Sequence, residues 1–121
     1  MGCALSIPIF TLVGTYYGKC IYVLDHHTCI VKIQFKNKYI KLILYINNLN
    51  PLNIENKTLA YEDHVKSKLI LEKIILNKKI KIDILDFCSE IARGNVYILK
   101  DNKEYDLIHL FNNYEAIHPN Y

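Results

Sequence analysis

The sequence predicts a single small domain of the α+β class that is mostly β-structure, with five short strands and two helices in 121 residues. Short segments rich in Ile, Leu and Tyr alternate with tight polar turns, a pattern typical of β-hairpins. One longer segment in the second half spaces its apolar residues as a helix does. Hydrophobic residues make up 51% of the chain, which is enough for a core without disulfides or a metal ion.

The first half of the domain is predicted to contain three consecutive strands. Residues 16–24 form the first strand, and residues 28–35 form the second after a polar turn at residues 25–27. A hairpin turn at residues 36–38 leads into the third strand, residues 39–46, which is rich in β-branched and aromatic residues. Because the turns are so short, we expect these strands to form an antiparallel meander.

A helix separates these strands from the next two. It follows a polar loop that contains Pro51 and is predicted over residues 58–76, with Asn77 as its stop. Lys and Glu populate one face of this helix, and apolar residues fall near the other. The side chains predicted to be buried are those of Tyr61, Val65, Leu69 and Leu76.

The second half of the domain adds two strands and a short helix. Residues 79–84 alternate strictly, with three isoleucines on one face and Lys or Asp on the other. Residues 85–92 are predicted as a loop and residues 94–99 as the fifth strand. Asp106 can cap a C-terminal helix that ends at residue 112 or 113.

This order of elements favours a barrel. Five short strands with a helix between strands 3 and 4, and a short C-terminal helix, are typical of an OB-type (Greek-key) barrel, the oligonucleotide-binding fold. Strand spacing alone leaves other α+β arrangements open. The net charge of +3 permits attraction to phosphates or anionic lipids without requiring it. No apolar segment reaches the roughly 18 residues of a membrane-spanning helix.

The N-terminus predicts a location rather than a chemistry. Gly2 follows the initiator Met and Ser6 stands at the sixth position, a pattern typical of N-myristoylation, and Cys3 is a candidate for palmitoylation. Two acyl chains anchor a protein stably where one does not. We therefore expect residues 1–13 to be a lipid anchor and tether, and residues 14–121 to be the folded domain. The location implied is the cytosolic face of a membrane in a eukaryotic cell or a eukaryotic-virus context.

Three segments carry a resemblance to a known family. Asp25-His26-His27-Thr28 follows the first strand, residues 71–82 run from a Leu-rich helix into a Lys-Lys strand, and Arg93-Gly94-Asn95-Val96-Tyr97-Ile98 precedes a hairpin. In this order the segments resemble the staphylococcal-nuclease-like (thermonuclease) family over roughly residues 14–121. The resemblance implies an OB-type barrel. In that family, carboxylates hold a Ca²⁺ ion on the scissile phosphate, arginines bind its oxygens and a glutamate activates water.

The resemblance also implies that most of this machinery is replaced. The chain has no acidic residue between Asp25 and Glu55, so the family's other metal-binding Asp and its Glu are missing in any register. A neutral imidazole at the second acidic position of the turn is a poor Ca²⁺ ligand. The degenerate family positions are Asp25, His27, Lys41, Asn47, Asn50 and Arg93. The register of the third strand is open by one residue, so Leu42, Ile46 and Leu49 are the alternatives to Lys41, Asn47 and Asn50. Lys41 and Arg93 are the candidates for binding phosphate.

Three hypotheses for function follow. The first is a catalytically degenerate, membrane-tethered barrel that acts as a binding or interaction module with an unknown protein partner. The second is a divergent Ca²⁺-dependent nuclease acting on DNA or RNA. The third is a membrane-associated binder of single-stranded nucleic acid. We expect no cofactor and no metal ion, with Ca²⁺ at Asp25 only if the nuclease hypothesis holds.

Histidines, cysteines and tyrosines are the other residues that could carry chemistry. His26 and His27 suggest a transition-metal site, but adjacent residues in a strand-like turn point to opposite sides, so we expect a solvated turn. His64, His109 and His118 are scattered and are expected at the surface. Cys20, Cys29 and Cys88 lack metal-type spacing and are expected to be reduced thiols. Tyrosines in or beside the strands either stack on bases or simply suit half-buried strand positions: Tyr16, Tyr17, Tyr22, Tyr39, Tyr45, Tyr97 and Tyr105.

Overall fold

The computed structural model describes residues 12–49 and 60–114. The predicted lipidation positions Gly2 and Cys3, most of the predicted tether, and Asn50 lie outside the described residues. The elements in chain order are β1 (Gly14–Val23), β2 (Thr28–Phe35), β3 (Lys38–Ile46), α1 (Ala60–Ile75), β4 (Lys79–Cys88), β5 (Ile91–Lys100), β6 (Lys103–Asp106) and α2 (Leu107–Asn112).

Strands β1 to β5 close into a mixed barrel. Strand β1 pairs with β2 on one side and with β4 on the other, while β2 pairs with β3 and β4 with β5, all antiparallel. The barrel is closed by a parallel pairing of β3 with β5, from Ile43 opposite Ile91 to Ile46 opposite Gly94. The predicted five-stranded barrel accompanied by a helix and a C-terminal helix is confirmed at this level.

Apolar side chains at every second position of the strands fill the interior of the barrel. In β2, Cys29, Val31 and Ile33 are fully buried while Lys32 and Gln34 are exposed, as expected for a strand with one face inward. The three isoleucines of residues 80–84 in β4 are also buried, which confirms the predicted inward face. Removing this apolar surface from water is the main stabilising contribution to the barrel.

Two glycines allow the strands to approach closely. A Cβ added at Gly18 in β1 would overlap the backbone carbonyl oxygen of Lys32 in β2. A Cβ added at Gly94 in β5 would overlap the carbonyl oxygen of Asp83 in β4. Only glycine fits at these two positions unless the neighbouring backbone moves.

The loop predicted over residues 85–92 is wrong. Strand β4 continues to Cys88, and a register shift between Ile84 and Asp86 marks a bulge that breaks the alternation. The chain then reverses at Ser89 and Glu90, which have φ of 53° and 70°. A tight turn of this kind usually carries Gly or Asn, so neither residue signalled it. Strand β6 was also not expected, because all four of its residues are exposed.

Helix α1 turns a different face to the barrel from the one predicted. Its buried side chains are those of Ser67, Ile70, Leu71 and Ile75. Val65 and Leu69, predicted to be buried, are 42% and 46% exposed. The helix carries two apolar stripes. The stripe that contains the adjacent residues Ile70 and Leu71 presents more apolar surface to the core than the stripe that contains Val65 and Leu69. The side chain of Tyr61 lies outside the description.

Helix α2 starts where it was predicted to. The Asp106 carboxylate accepts a hydrogen bond from the Ile108 N–H at 3.1 Å, so Asp106 is the N-cap. Leu107 and Phe111 are fully buried and attach the helix to the barrel. Within the described part of the chain, no helix has the length and apolar character needed to span a bilayer.

The cysteines fall into two groups. Cys20 and Cys29 are buried free thiols on the inner faces of β1 and β2, as expected. Their mutual hydrogen bond and burial raise the pKa of Cys29 well above its usual value. Cys88 is disulfide-bonded, so the expectation of a reduced thiol there is wrong.

Candidate functional site

Three segments of the chain meet at one end of the barrel. The Ile46 N–H donates to the His27 carbonyl oxygen at 2.8 Å, which holds the β1–β2 turn against the end of β3. The Asn47 N–H donates to the Gly94 carbonyl oxygen at 2.8 Å, which holds the same end of β3 against β5. We call the group Asp25, His26, His27, Asn47 and Arg93 the barrel-end site.

Asp25 organises the turn. One carboxylate oxygen accepts the His27 backbone N–H at 3.0 Å and lies 3.1 Å from the His27 Nδ1. The same Nδ1 lies 2.6 Å from the Thr28 hydroxyl. An Asp side chain that binds the backbone two residues on forms an Asx-turn, which explains why a strand ends here and a turn begins.

Four rings pack together beside this turn. The His26 and His27 ring centroids are 4.1 Å apart in an edge-to-face arrangement, and the His64 ring of helix α1 stacks on His26 at 4.3 Å. Tyr45 of β3 lies 4.6 Å from His27. The expectation that His26 and His27 point to opposite sides is wrong, because residues 25–27 form a bend rather than a strand.

The pKa values of the turn reflect this crowding. Burial lowers the pKa of His26, and the neighbouring rings of His27 and His64 lower it further. Burial alone would raise the pKa of Asp25. The hydrogen bond from the His27 N–H and the charge of the His27 ring outweigh it, and the pKa of Asp25 falls below its usual value. The lowered pKa values of both groups favour a neutral His26 ring beside an ionised Asp25 carboxylate near neutral pH.

Arg93 is held by side chains of the barrel itself. Its Nε and Nη2 donate to Oδ2 of Asp86 at 3.0 and 2.7 Å, across the β4–β5 pair. Its Nη1 donates to Oδ1 of Asn47 at 2.8 Å, and the Asn47 amide in turn donates to Asn95 at 3.2 Å. The guanidinium is thus held by hydrogen bonds to Asp86 and Asn47, while 42% of the Arg93 side chain is exposed.

The predicted site residues are only partly brought together. Asp25, His27, Asn47 and Arg93 meet at the barrel end. Lys41 does not, because it precedes Asn47 by six residues on β3, roughly 20 Å along an extended strand. Asn50 lies outside the described residues. Asp86 was missed, since its place in a predicted loop gave no sign that it would pair with Arg93.

A second polar feature lies on the outer surface. Strand register places Lys79 opposite Lys19, Lys19 opposite Lys32, and Lys32 opposite Lys41, on four adjacent strands. We call these four residues the lysine row. Sequence reasoning missed it because the row depends on three registers at once.

A groove of about 580 Å³ runs beside the lysine row. Two exposed tyrosines flank it, Tyr17 and Tyr39, which are 56% and 65% exposed. The Lys32 ammonium lies over the Tyr39 ring, 4.9 Å from its centroid. Among the described residues that line the groove, none is acidic.

No protein-family model matches this chain, and no curated protein matches it either. The resemblance to the staphylococcal-nuclease-like family therefore stays a prediction from the quoted segments.

Proposed function

We propose that the domain is a non-catalytic barrel that binds single-stranded nucleic acid on the outer face of β1, β2 and β3. The observation that carries the proposal is the lysine row. Directly opposed like charges destabilise a strand pair. A phosphate backbone lying along the row would relieve that repulsion and gain attraction at each position.

The size of the repulsion supports an external anion. Opposed side chains on paired strands start from Cβ atoms roughly 5 Å apart. Two unit charges at that distance repel by about 1 kcal/mol in water and by more next to the protein surface. The ammonium groups reduce this by splaying apart, but three adjacent like-charged contacts leave a field that favours a polyanion.

The tyrosines favour nucleic acid over a bare anionic surface. Tyr17 and Tyr39 lie in the groove that the lysine row borders. Stacking a base on an aromatic ring contributes about 1–3 kcal/mol and tolerates any base. A lipid headgroup region would also accept the lysines and the tyrosine rings, but only nucleic acid offers bases that stack on those rings, and the oligo-dT test separates the two.

Several finer assignments belong to the same proposal. The closed order of the five strands, with Ala60–Ile75 following β3 in the chain, is compatible with an OB-type barrel. We place the domain beside the staphylococcal-nuclease-like family as a degenerate member. The internal partners of Arg93 support a site without phosphodiester chemistry. We retain membrane tethering through Gly2, on the cytosolic face, on the strength of the N-terminal motif alone. Palmitoylation of Cys3 needs a free thiol, and the disulfide at Cys88 counts against it.

The test is oligonucleotide binding measured against salt. We expect the full chain to bind fluorescently labelled oligo-dT, with an affinity that falls as salt rises. The double variant Lys19→Gln/Lys32→Gln should bind at least about tenfold more weakly. Its log–log salt slope should be smaller by about 1.4, since each lost contact to a single strand removes about 0.7.

The matched control removes the same charge elsewhere. Lys66→Gln/Lys68→Gln on helix α1 should leave both affinity and slope nearly unchanged. Equal losses in the two double variants, or no oligonucleotide binding at all, would overturn the proposal. Binding of the wild type to anionic vesicles but not to oligo-dT would assign the row to lipid. Adding Ca²⁺ tests the nuclease hypothesis, which predicts cleavage that Arg93→Ala abolishes.

A further inference from the structure

We propose that Asp25, His26 and His27 bind one divalent transition-metal ion of the zinc class, with the fourth position open to solvent. Each of the three residues offers a ligand atom, and these atoms all lie within 4.8 Å of one another. Ligand atoms around a tetrahedral zinc ion, at about 2.0–2.1 Å from the metal, lie roughly 3.4 Å apart. Small side-chain rotations therefore suffice to close the site.

One ligand pair is already at a suitable separation. The Asp25 Oδ1 and the His27 Nδ1 are 3.1 Å apart. A metal ion seated between them could bind both, since an imidazole with its proton on Nε2 leaves Nδ1 free as a ligand. The backbone N–H of His27 also donates to Asp25, which fixes the carboxylate in position.

His64 of helix α1 packs against the site without joining it. Its ring is parallel to that of His26 within 8° and stacks on it at 4.3 Å. An ion that fixes the His26 ring would therefore also fix the surface on which the helix packs.

The donor set selects the metal. Imidazole nitrogens with a single carboxylate suit zinc and its neighbours in the transition series, whereas Ca²⁺ takes six or more oxygens. The side chains are half-buried, with 25% of His27 and 51% of Asp25 exposed, so an ion can reach the site from solvent. The Tyr45 ring packs against the His27 ring at 4.6 Å and limits its rotation.

The experiment is zinc titration of the chelator-treated full chain against a chromophoric zinc indicator. We expect one zinc ion per chain. His26→Ala and His27→Ala should each weaken binding by about 10- to 100-fold or more, since even the partners that orient a ligand are worth that much. His109→Ala, which removes an exposed histidine of helix α2, is the matched control and should bind as the wild type does.

Two further readouts keep the proposal falsifiable. Cobalt(II) should give the intense visible absorption of a tetrahedral site in the wild type. Zinc should raise the melting temperature of the wild type, and His27→Ala should lose most of that rise because it removes a ligand. The test needs no nucleic acid, so it is separate from the proposed function.

The proposal is overturned by any of three results. These are zinc binding that does not depend on His26 and His27, equal weakening by His109→Ala, and preference for Ca²⁺ over Zn²⁺. Should the histidine variants not fold, the cobalt spectrum of the wild type decides, and a spectrum without tetrahedral bands counts against the site.

Discussion

The barrel-end site and the lysine row differ in the partners of their charged side chains. At the barrel end, Arg93 lies against Asp86 and Asn47, and Asp25 lies against His27. In the row, each lysine faces another lysine across a strand pair. Both features sit on the same small barrel, so the difference does not come from the fold.

The contrast indicates which region is built for a ligand from outside. A cation with an internal partner contributes mainly to structure, and its net contribution at the surface is small. A set of opposed cations weakens the free protein and is relieved by an anion, and the described residues that line the neighbouring groove include no acidic one. The row is therefore the stronger candidate for binding a polyanion, although it carries none of the positions suggested by the family resemblance except Lys41.

The largest expected effect comes from the glycines on which both regions rest. Gly94→Ala should destabilise the fold by about 3 kcal/mol, because its Cβ would overlap the Asp83 carbonyl next to the barrel end. Gly18→Ala should cost a similar amount beneath the lysine row. Urea unfolding measures both. Leu85→Ala, at an exposed position of β4, is the control and should stay within about 0.5 kcal/mol.

The next effect is smaller, and its sign distinguishes the two regions, because removing a charge at the barrel end should lower the free energy of unfolding. Arg93→Gln should destabilise by about 1 kcal/mol, because the pair with Asp86 is substantially exposed but the bond to Asn47 is partly buried. Lys100→Gln, an exposed cation at the end of β5, should change stability very little. A neutral or stabilising effect of Arg93→Gln would contradict the conclusion that the charge of Arg93 is balanced by partners within the protein.

The smallest expected effect on stability lies in the row. Lys32→Glu replaces two repulsive contacts, with Lys19 and Lys41, by two attractive ones, and should stabilise the fold by about 0.5 kcal/mol. The same substitution should abolish oligo-dT binding. Urea unfolding and fluorescence anisotropy measure the two effects on one sample. A destabilised variant that still binds oligo-dT would contradict the contrast between the regions.

The elements with a local signal were predictable from the sequence. Strand β2 has the predicted bounds, and the Asp106 cap starts helix α2 where expected. Alternation and capping depend on neighbours within a few residues, so one sequence is sufficient to find them. The extension of β4 was missed because the bulge after Ile84 and the left-handed turn at Ser89 interrupt the period.

The features that needed tertiary information were not predictable. The lysine row exists only because β4, β1, β2 and β3 pair in particular registers, and pairing register is not encoded in any one strand. His64 reaches His26 from 38 residues away through the packing of helix α1. The shape of the core determines which face of that helix is buried, and the stripe that contains Val65 and Leu69 remains exposed.

The parallel pairing of β3 with β5 has a consequence for how the molecule opens. It joins only four residue pairs, and it brings together parts of the chain about 48 residues apart. A pairing held by so few residue pairs opens more readily than the longer strand pairs of the barrel. Tyr45 and Arg93 sit opposite each other on that seam. Amide hydrogen exchange should therefore be faster along this parallel pairing than in the β1–β2 hairpin. The barrel end is then the place where the barrel opens first.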